Sequence, residues 1–143
     1  MLTQTEADTL IAMRKTFVNP VTISLPPGAD ESHELIGEDP RERFLLDLWR
    51  GTFQISKLKY QTRARKVIVL IRLDVDGGPH TNPDGTKIGG THIHIYREGY
   101  EDKWAYPVEL EDFKDTSDIQ QTFRDFCRYC NIEDPPPFQG GLL

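Results

Sequence analysis

Ala7, Leu10, Ile11, Arg14, Phe17 and Val18 fall at helical spacing, and Asn19-Pro20 closes the run, so residues 5–18 are expected to form an N-terminal helix. In VTISL the apolar positions Val21, Ile23 and Leu25 alternate, the pattern of a short strand. PPGADESHELIGED is polar, rich in turn formers and aperiodic, and reads as a surface loop carrying a solvated His33. Asp39 as a cap, Pro40 in the first turn and Glu42 completing a capping box predict a short central helix through FLLDLW, ended by Gly51.

The pattern then changes. TFQISKLKY (52–60), KVIVLIRLDV (66–75), THIHIYR (91–97) and KWAYPV (103–108) read as strands. The second is apolar on both faces as far as Leu70, as a central strand requires. Beyond them Ile119, Phe123, Phe126, Cys127 and Cys130 make an apolar helical stripe behind a cap at Thr116 or Ser117. The tail, IEDPPPFQGGLL, is extended and has only Phe138 and the final leucines with which to pack. Together these elements predict an α+β fold. It has a mainly antiparallel sheet of four to five strands with an N-terminal, a short central and a C-terminal helix. One domain over residues 1–143 is expected, residues 133–143 being the extended tail.

Composition narrows the possible partners. Seventeen basic against 23 acidic residues give a net charge of −6, so any nucleic-acid contact needs a local patch. No apolar run reaches the roughly 18–20 residues that span a bilayer. MLTQTEADTL lacks the order of a signal peptide, and a cytoplasmic protein without membrane contact is expected. Cys127 and Cys130 form a lone CxxC late in a helical pattern, without the second ligand pair zinc would need, and read as reduced thiols of the core.

Chemistry concentrates in residues 77–104. Alternation along THIHIYR sets His92, His94 and Tyr96 on one face and Thr91, Ile93, Ile95 and Arg97 on the other, successive like-facing groups lying roughly 7 Å apart. The preceding Asn82-Pro83-Asp84-Gly85 is a strong β-turn sequence between two glycine pairs, and it is able to fold His80 back over the strand. Metal-free phosphodiester cleavage requires an acid, a base and cations on the non-bridging oxygens. His92 and His94 suit the first two roles, with His80 and Tyr96 as helpers, because imidazole titrates near neutral pH.

The cations lie in KLKYQTRARK: Lys57, Lys59, Arg63, Arg65 and Lys66, with Tyr60 able to stack on a base and no acid between residues 48 and 73. Arg97 adds a further phosphate contact. RNA held along this basic strand is the partner so implied, and REGYEDKWAY, residues 97–106, offers a protein-binding surface. These features suggest a metal-independent endoribonuclease of toxin or phage-defence type. Two other readings remain open: a non-catalytic interaction component of a phage or toxin–antitoxin system, and a hydrolase binding a divalent metal through His80, His92 and His94, with Asp74, Asp76 or Glu98 as further ligands.

THIHIY resembles the His-x-His-x-His motif of the histidine-triad nucleotide hydrolases, with Asn82 and a glycine-rich stretch upstream. Tyr96 stands where that family has its third histidine, and the resemblance would make His94 the nucleophile. A broader similarity, over about residues 44–108, is to an uncharacterised family of small bacterial and phage proteins. Its recurring pieces look like FLLDLWRG, ISKLKYQTRAR, HTNPDG and HIHIYREGYEDKWA; it implies no established activity.

Overall fold

The computed structural model describes residues 1–139. Nine strands and two helices make an α+β fold among them: α1 (Gln4–Ala12), β1 (Lys15–Phe17), β2 (Asp30–Gly37), β3 (Arg43–Arg50), β4 (Leu58–Ala64) and β5 (Ile68–Val75) come first. β6 (His80–Thr81), β7 (Lys87–Ile88), β8 (His92–Ile95), β9 (Ala105–Pro107) and α2 (Ile119–Tyr129) complete it. The main sheet has seven strands in the order β1-β2-β3-β4-β5-β8-β9, more than the four to five expected, and every neighbouring pair is antiparallel. The pair β6-β7 forms a separate two-stranded piece in the connection between β5 and β8.

The extra strands come from three segments whose pattern was ambiguous. The N-terminal helix stops at Ala12, and Lys15–Phe17 pairs with Leu35–Gly37. Lys15 enforces this stop. Its buried ammonium donates to the carbonyls of Ile11, Met13 and Cys130, drawing in the C-terminal ends of both helices. PPGADESHELIGED is not a loop: residues 30–37 form β2, where His33 packs at 5.7 Å from the Phe17 ring and meets Glu31 at 2.8 Å.

The expected central helix is likewise a strand. Phe44, Leu46 and Leu48 are buried with period two, and Leu45, Asp47 and Trp49 face the other way. Asp39 caps a hairpin turn, accepting from the Arg41 backbone N–H at 3.1 Å, while the Glu42 N–H donates to the Asp39 carbonyl. Further along, β4 begins only at Leu58, after turns that leave Phe53 97% exposed. VTISL contributes a single bridge, Ile23 to Phe138.

One face of the sheet is apolar. Phe44, Leu46, Leu48, Tyr60, Leu73 and Ile93 join Phe123, Phe126, Cys127 and Cys130 of α2, which is capped by Asp118 rather than Thr116 or Ser117. At 25 cal/mol per Å² or so, burial of these side chains dominates the stability. The two thiols are buried and free, and Phe138 docks on Phe123 with ring centroids 5.6 Å apart. Leu142 and Leu143 lie outside the described residues. No helix among those described is long and apolar enough to cross a membrane.

Candidate active site

The opposite face of the sheet is polar, and its register builds two cross-strand rows. Ser32, Asp47, Gln61, Arg72 and His94 are successive partners from β2 to β8; beside them run Asp30, Trp49, Lys59, Asp74 and His92. Both rows end under the connection between β5 and β8. Gly77 donates to the Gly90 carbonyl at 2.9 Å to close its neck, and a Cβ on Gly90 would stand 2.3 Å from the Gly77 oxygen. The NPDG sequence makes the expected turn, with Gly85 at φ +89° donating to the Asn82 carbonyl. The Asn82 amide both donates to and accepts from the Ala105 backbone, at 3.0 and 2.8 Å, and so latches this short hairpin onto β9.

The latch brings His80 over the other two histidines. Ring centroids lie 4.7 Å apart for His80 and His94, 4.8 Å for His92 and His94, and 5.6 Å for His80 and His92. Each ring nitrogen assignment follows from a carbonyl, which can only accept. His80 Nε2 donates to the Lys103 oxygen at 2.7 Å, His92 Nδ1 to the Gly89 oxygen at 2.6 Å, and His94 Nδ1 to the Asp102 oxygen at 2.8 Å. The remaining nitrogens of His92 and His94 both turn to Asp74 Oδ2, at 3.2 and 3.5 Å.

Arg72 completes the cluster, reaching Asp74 Oδ1 at 3.2 Å, Asp102 at 2.9 Å and His94 Nε2 at 3.0 Å. Burial pushes the Asp74 carboxyl up, but the hydrogen bond with His94 and the charges of Arg72 and the histidines carry it below the ordinary carboxylate value. It is therefore an anion at neutral pH. His92 and His94 are 2% and 1% exposed, so of the three only the half-buried His80 presents an imidazole edge to solvent.

The other expected site residues are dispersed. Tyr96 leaves the row of histidines: its ring is in the core, and its hydroxyl donates to the Leu2 carbonyl and accepts from the Leu2 N–H. Tyr60 is wholly buried against Phe126, which rules out base stacking by its ring. Arg63 is tied to Asp47 at 2.6 Å, and Arg65 leans toward Glu42 and Glu6. Lys57 is half-buried, Lys59 is exposed over the Trp49 ring at 5.6 Å, and Lys66 lies in the turn after β4 with φ +70°. Arg97 stacks on Trp104 at 4.3 Å. Of the further metal ligands considered, Asp74 alone reaches the cluster, and Glu98 instead accepts from the Gln4 N–H near the start of α1.

Next to the cluster on the same face, Asp30, Ser32, Asp47, Trp49, Lys59, Gln61 and Arg63 line an open cleft of about 570 Å³. Asp47 is held below the usual carboxylate range because hydrogen bonds from Arg63, Ser32 and Gln61 outweigh the opposing effect of burial. The cleft adjoins the cluster in register, its Lys59 and Gln61 pairing with Asp74 and Arg72. Asp102 and the carbonyls of Gly89 and Lys103 are parts of the site with no signal in the sequence, where Asp102 belongs to the charged surface of residues 97–106.

A family model described as a family of unknown function, DUF6978, matches residues 2–132. The chain belongs to this family. The match runs from just before α1 to the residue that bridges Lys15, so the DUF6978 family takes in the whole histidine cluster and its supporting sheet. No curated protein and no solved structure matches the chain.

Proposed function

We propose that the histidine cluster is a phosphodiester-cleaving centre and that the protein is an endoribonuclease of toxin or phage-defence type. The observation that carries this reading is the convergence of His80, from the connection between β5 and β8, on the buried His92 and His94 beside Arg72 and Lys59 of one polar sheet face. Burial changes the roles expected of them. His80 is the proton-transfer group: its Nε2 is committed to Lys103, which leaves Nδ1 as the basic nitrogen. His92 and His94 act behind it.

In this mechanism the RNA lies in the cleft with a phosphate against Arg72 and Lys59, which offset its negative charge. His80 Nδ1 takes the proton of the 2′-hydroxyl as its oxygen attacks phosphorus. The P–O5′ bond breaks, the proton passes to the departing 5′-oxygen, and a 2′,3′-cyclic phosphate remains. Trp49, not Tyr60, is the aromatic ring available for stacking. Purified protein is expected to cleave a mixed single-stranded RNA, and His80→Ala to lower kcat by about 100-fold or more. Undiminished cleavage by His80→Ala, or none by the parent protein, would overturn the assignment.

The surface at residues 97–106 supports a second reading, a docking component of such a system. Tyr100 and Tyr106 are exposed there beside the stacked Arg97–Trp104 pair. That reading predicts full biological function in His80→Ala and its loss in Tyr100→Ala with Tyr106→Ala.

A further inference from the structure

We infer that Asp74, His92 and His94 form a binding site for one divalent transition-metal ion, with His80 outside the ligand set. The argument starts from lone pairs. Because Nδ1 of each buried ring donates to a backbone carbonyl, Nε2 is the ligating position on both His92 and His94, that of His94 meeting Arg72 at 3.0 Å. These two nitrogens face the same carboxylate oxygen, Asp74 Oδ2, at 3.2 and 3.5 Å. The two ring nitrogens and the carboxylate oxygen thus converge on one point at the edge of the buried cluster. An ion placed there would be held by all three at once.

The spacing suits a metal. Nitrogen and oxygen ligands at about 2.1 Å from a common ion stand about 3.0–3.5 Å from one another in octahedral or tetrahedral arrangements. The two distances to Asp74 Oδ2 fall in that interval or at its edge; the three ligand atoms lie within 4.8 Å of one another, and the two imidazoles draw together by a small ring rotation when an ion enters. The surroundings are those of a supported metal centre. Carbonyl acceptors fix both imidazoles in the tautomer a metal requires, and Arg72 Nε holds the other carboxylate oxygen, Oδ1.

Two histidines and one carboxylate leave coordination positions for water or substrate, and the ligand types suit Zn²⁺, Co²⁺, Ni²⁺, Mn²⁺ or Fe²⁺ better than Ca²⁺ or Mg²⁺. The Arg72 guanidinium contacts His94 Nε2 at 3.0 Å and must withdraw toward Asp102 when the ion enters. His80 is already committed to Lys103, and it remains the group facing solvent. The assignment stands whether or not RNA is the substrate.

The test is titration of chelator-treated full-length protein with Zn²⁺ by calorimetry and with Co²⁺ by visible absorption. One equivalent is expected to bind, with a rise in melting temperature and the d–d bands of nitrogen- and oxygen-ligated cobalt. His92→Gln and His94→Gln are expected to weaken binding at least 100-fold, Asp74→Asn at least tenfold, and His80→Ala less than threefold. Melting curves in chelator identify any variant that has lost its fold; Asp74→Asn, nearly equal in size, serves as the second probe if a histidine variant is misfolded. Absence of saturable binding to the parent protein, or equal loss in His80→Ala and Asp74→Asn, overturns the site. RNA cleavage that persists in chelator would leave the ribonuclease proposal intact, whereas metal binding without cleavage would leave only the metal site.

Discussion

Lys15 shows how one residue overrode a pattern. Read as a helical position, it lies on a plausible amphipathic run; in the fold it is 1% exposed, beneath the ends of two helices and 4.8 Å from the Phe44 ring centre. Burial moves its ammonium from an ordinary 10.5 down to about 8. Between those pH values the unfolded chain binds the extra proton, so the Lys15 contribution to stability rises with pH across that window, by about 3 kcal/mol in total. Denaturation of the parent protein and of Lys15→Met at pH 7 and pH 10.5 is expected to show the parent gaining on the variant by about that amount. A constant difference would mean that the ammonium is not buried as described. The same scale explains the limited reach of the sequence over the site. Alternation correctly paired His92 with His94, but no single-residue pattern tells that a row of imidazoles is roofed, and Tyr96 turned into the core just beyond the strand end at Ile95.

Among the elements, the hairpins were the most legible where turn chemistry was strong. Counting outward from NPDG sets Asp74 opposite His92 to within one or two positions, and the observed register has them as partners. Asp74 was therefore within reach as the third member of the cluster. The 39–50 segment was less decidable: Phe44, Leu45, Leu48 and Trp49 also satisfy a helical spacing, and only cross-strand pairing on both sides of β3 selects the period of two. Polar β2 had even less local signal, since its outer positions face solvent and its partners are supplied by β1 and β3. The hairpin over the cluster yields a direct prediction. Asn82→Ala removes the partner of a buried N–H and a buried carbonyl, for a loss of about 1–3 kcal/mol. Hydrogen exchange is expected to accelerate at Ala105; unchanged protection there would show that the latch carries no load.

For the molecule as a whole, the two sheet faces divide the work, one making the core and the other the polar surface with its cleft. The core also sets the response to base. Cys127, Cys130 and Tyr60 are all pushed up by burial, Cys130 from an ordinary 9.0 to about 12. They stay protonated in the fold while their counterparts in the unfolded chain ionise. Their stabilising contribution is thus complete below about pH 9 and is lost as the pH climbs toward the folded values, against the smaller opposite effect of Lys15. Melting temperature is expected to fall above about pH 9, and replacing both cysteines with alanine to flatten that decline; an equally steep decline in the variant would locate its cause elsewhere.

The site also has a consequence for how the chain tolerates change. Every group in the cluster, from Arg72 through Asp74, His80, Asn82, His92, His94 and Asp102 to the backbone of Ala105, lies on one uninterrupted span of sequence. Strands β1 to β4 lend that span a floor, a cleft and Lys59, but none of its histidines. A recombination event with breakpoints outside residues 72–105 would therefore pass on the histidine cluster whole, and one with a breakpoint inside would divide it. The cluster travels as a single block of sequence.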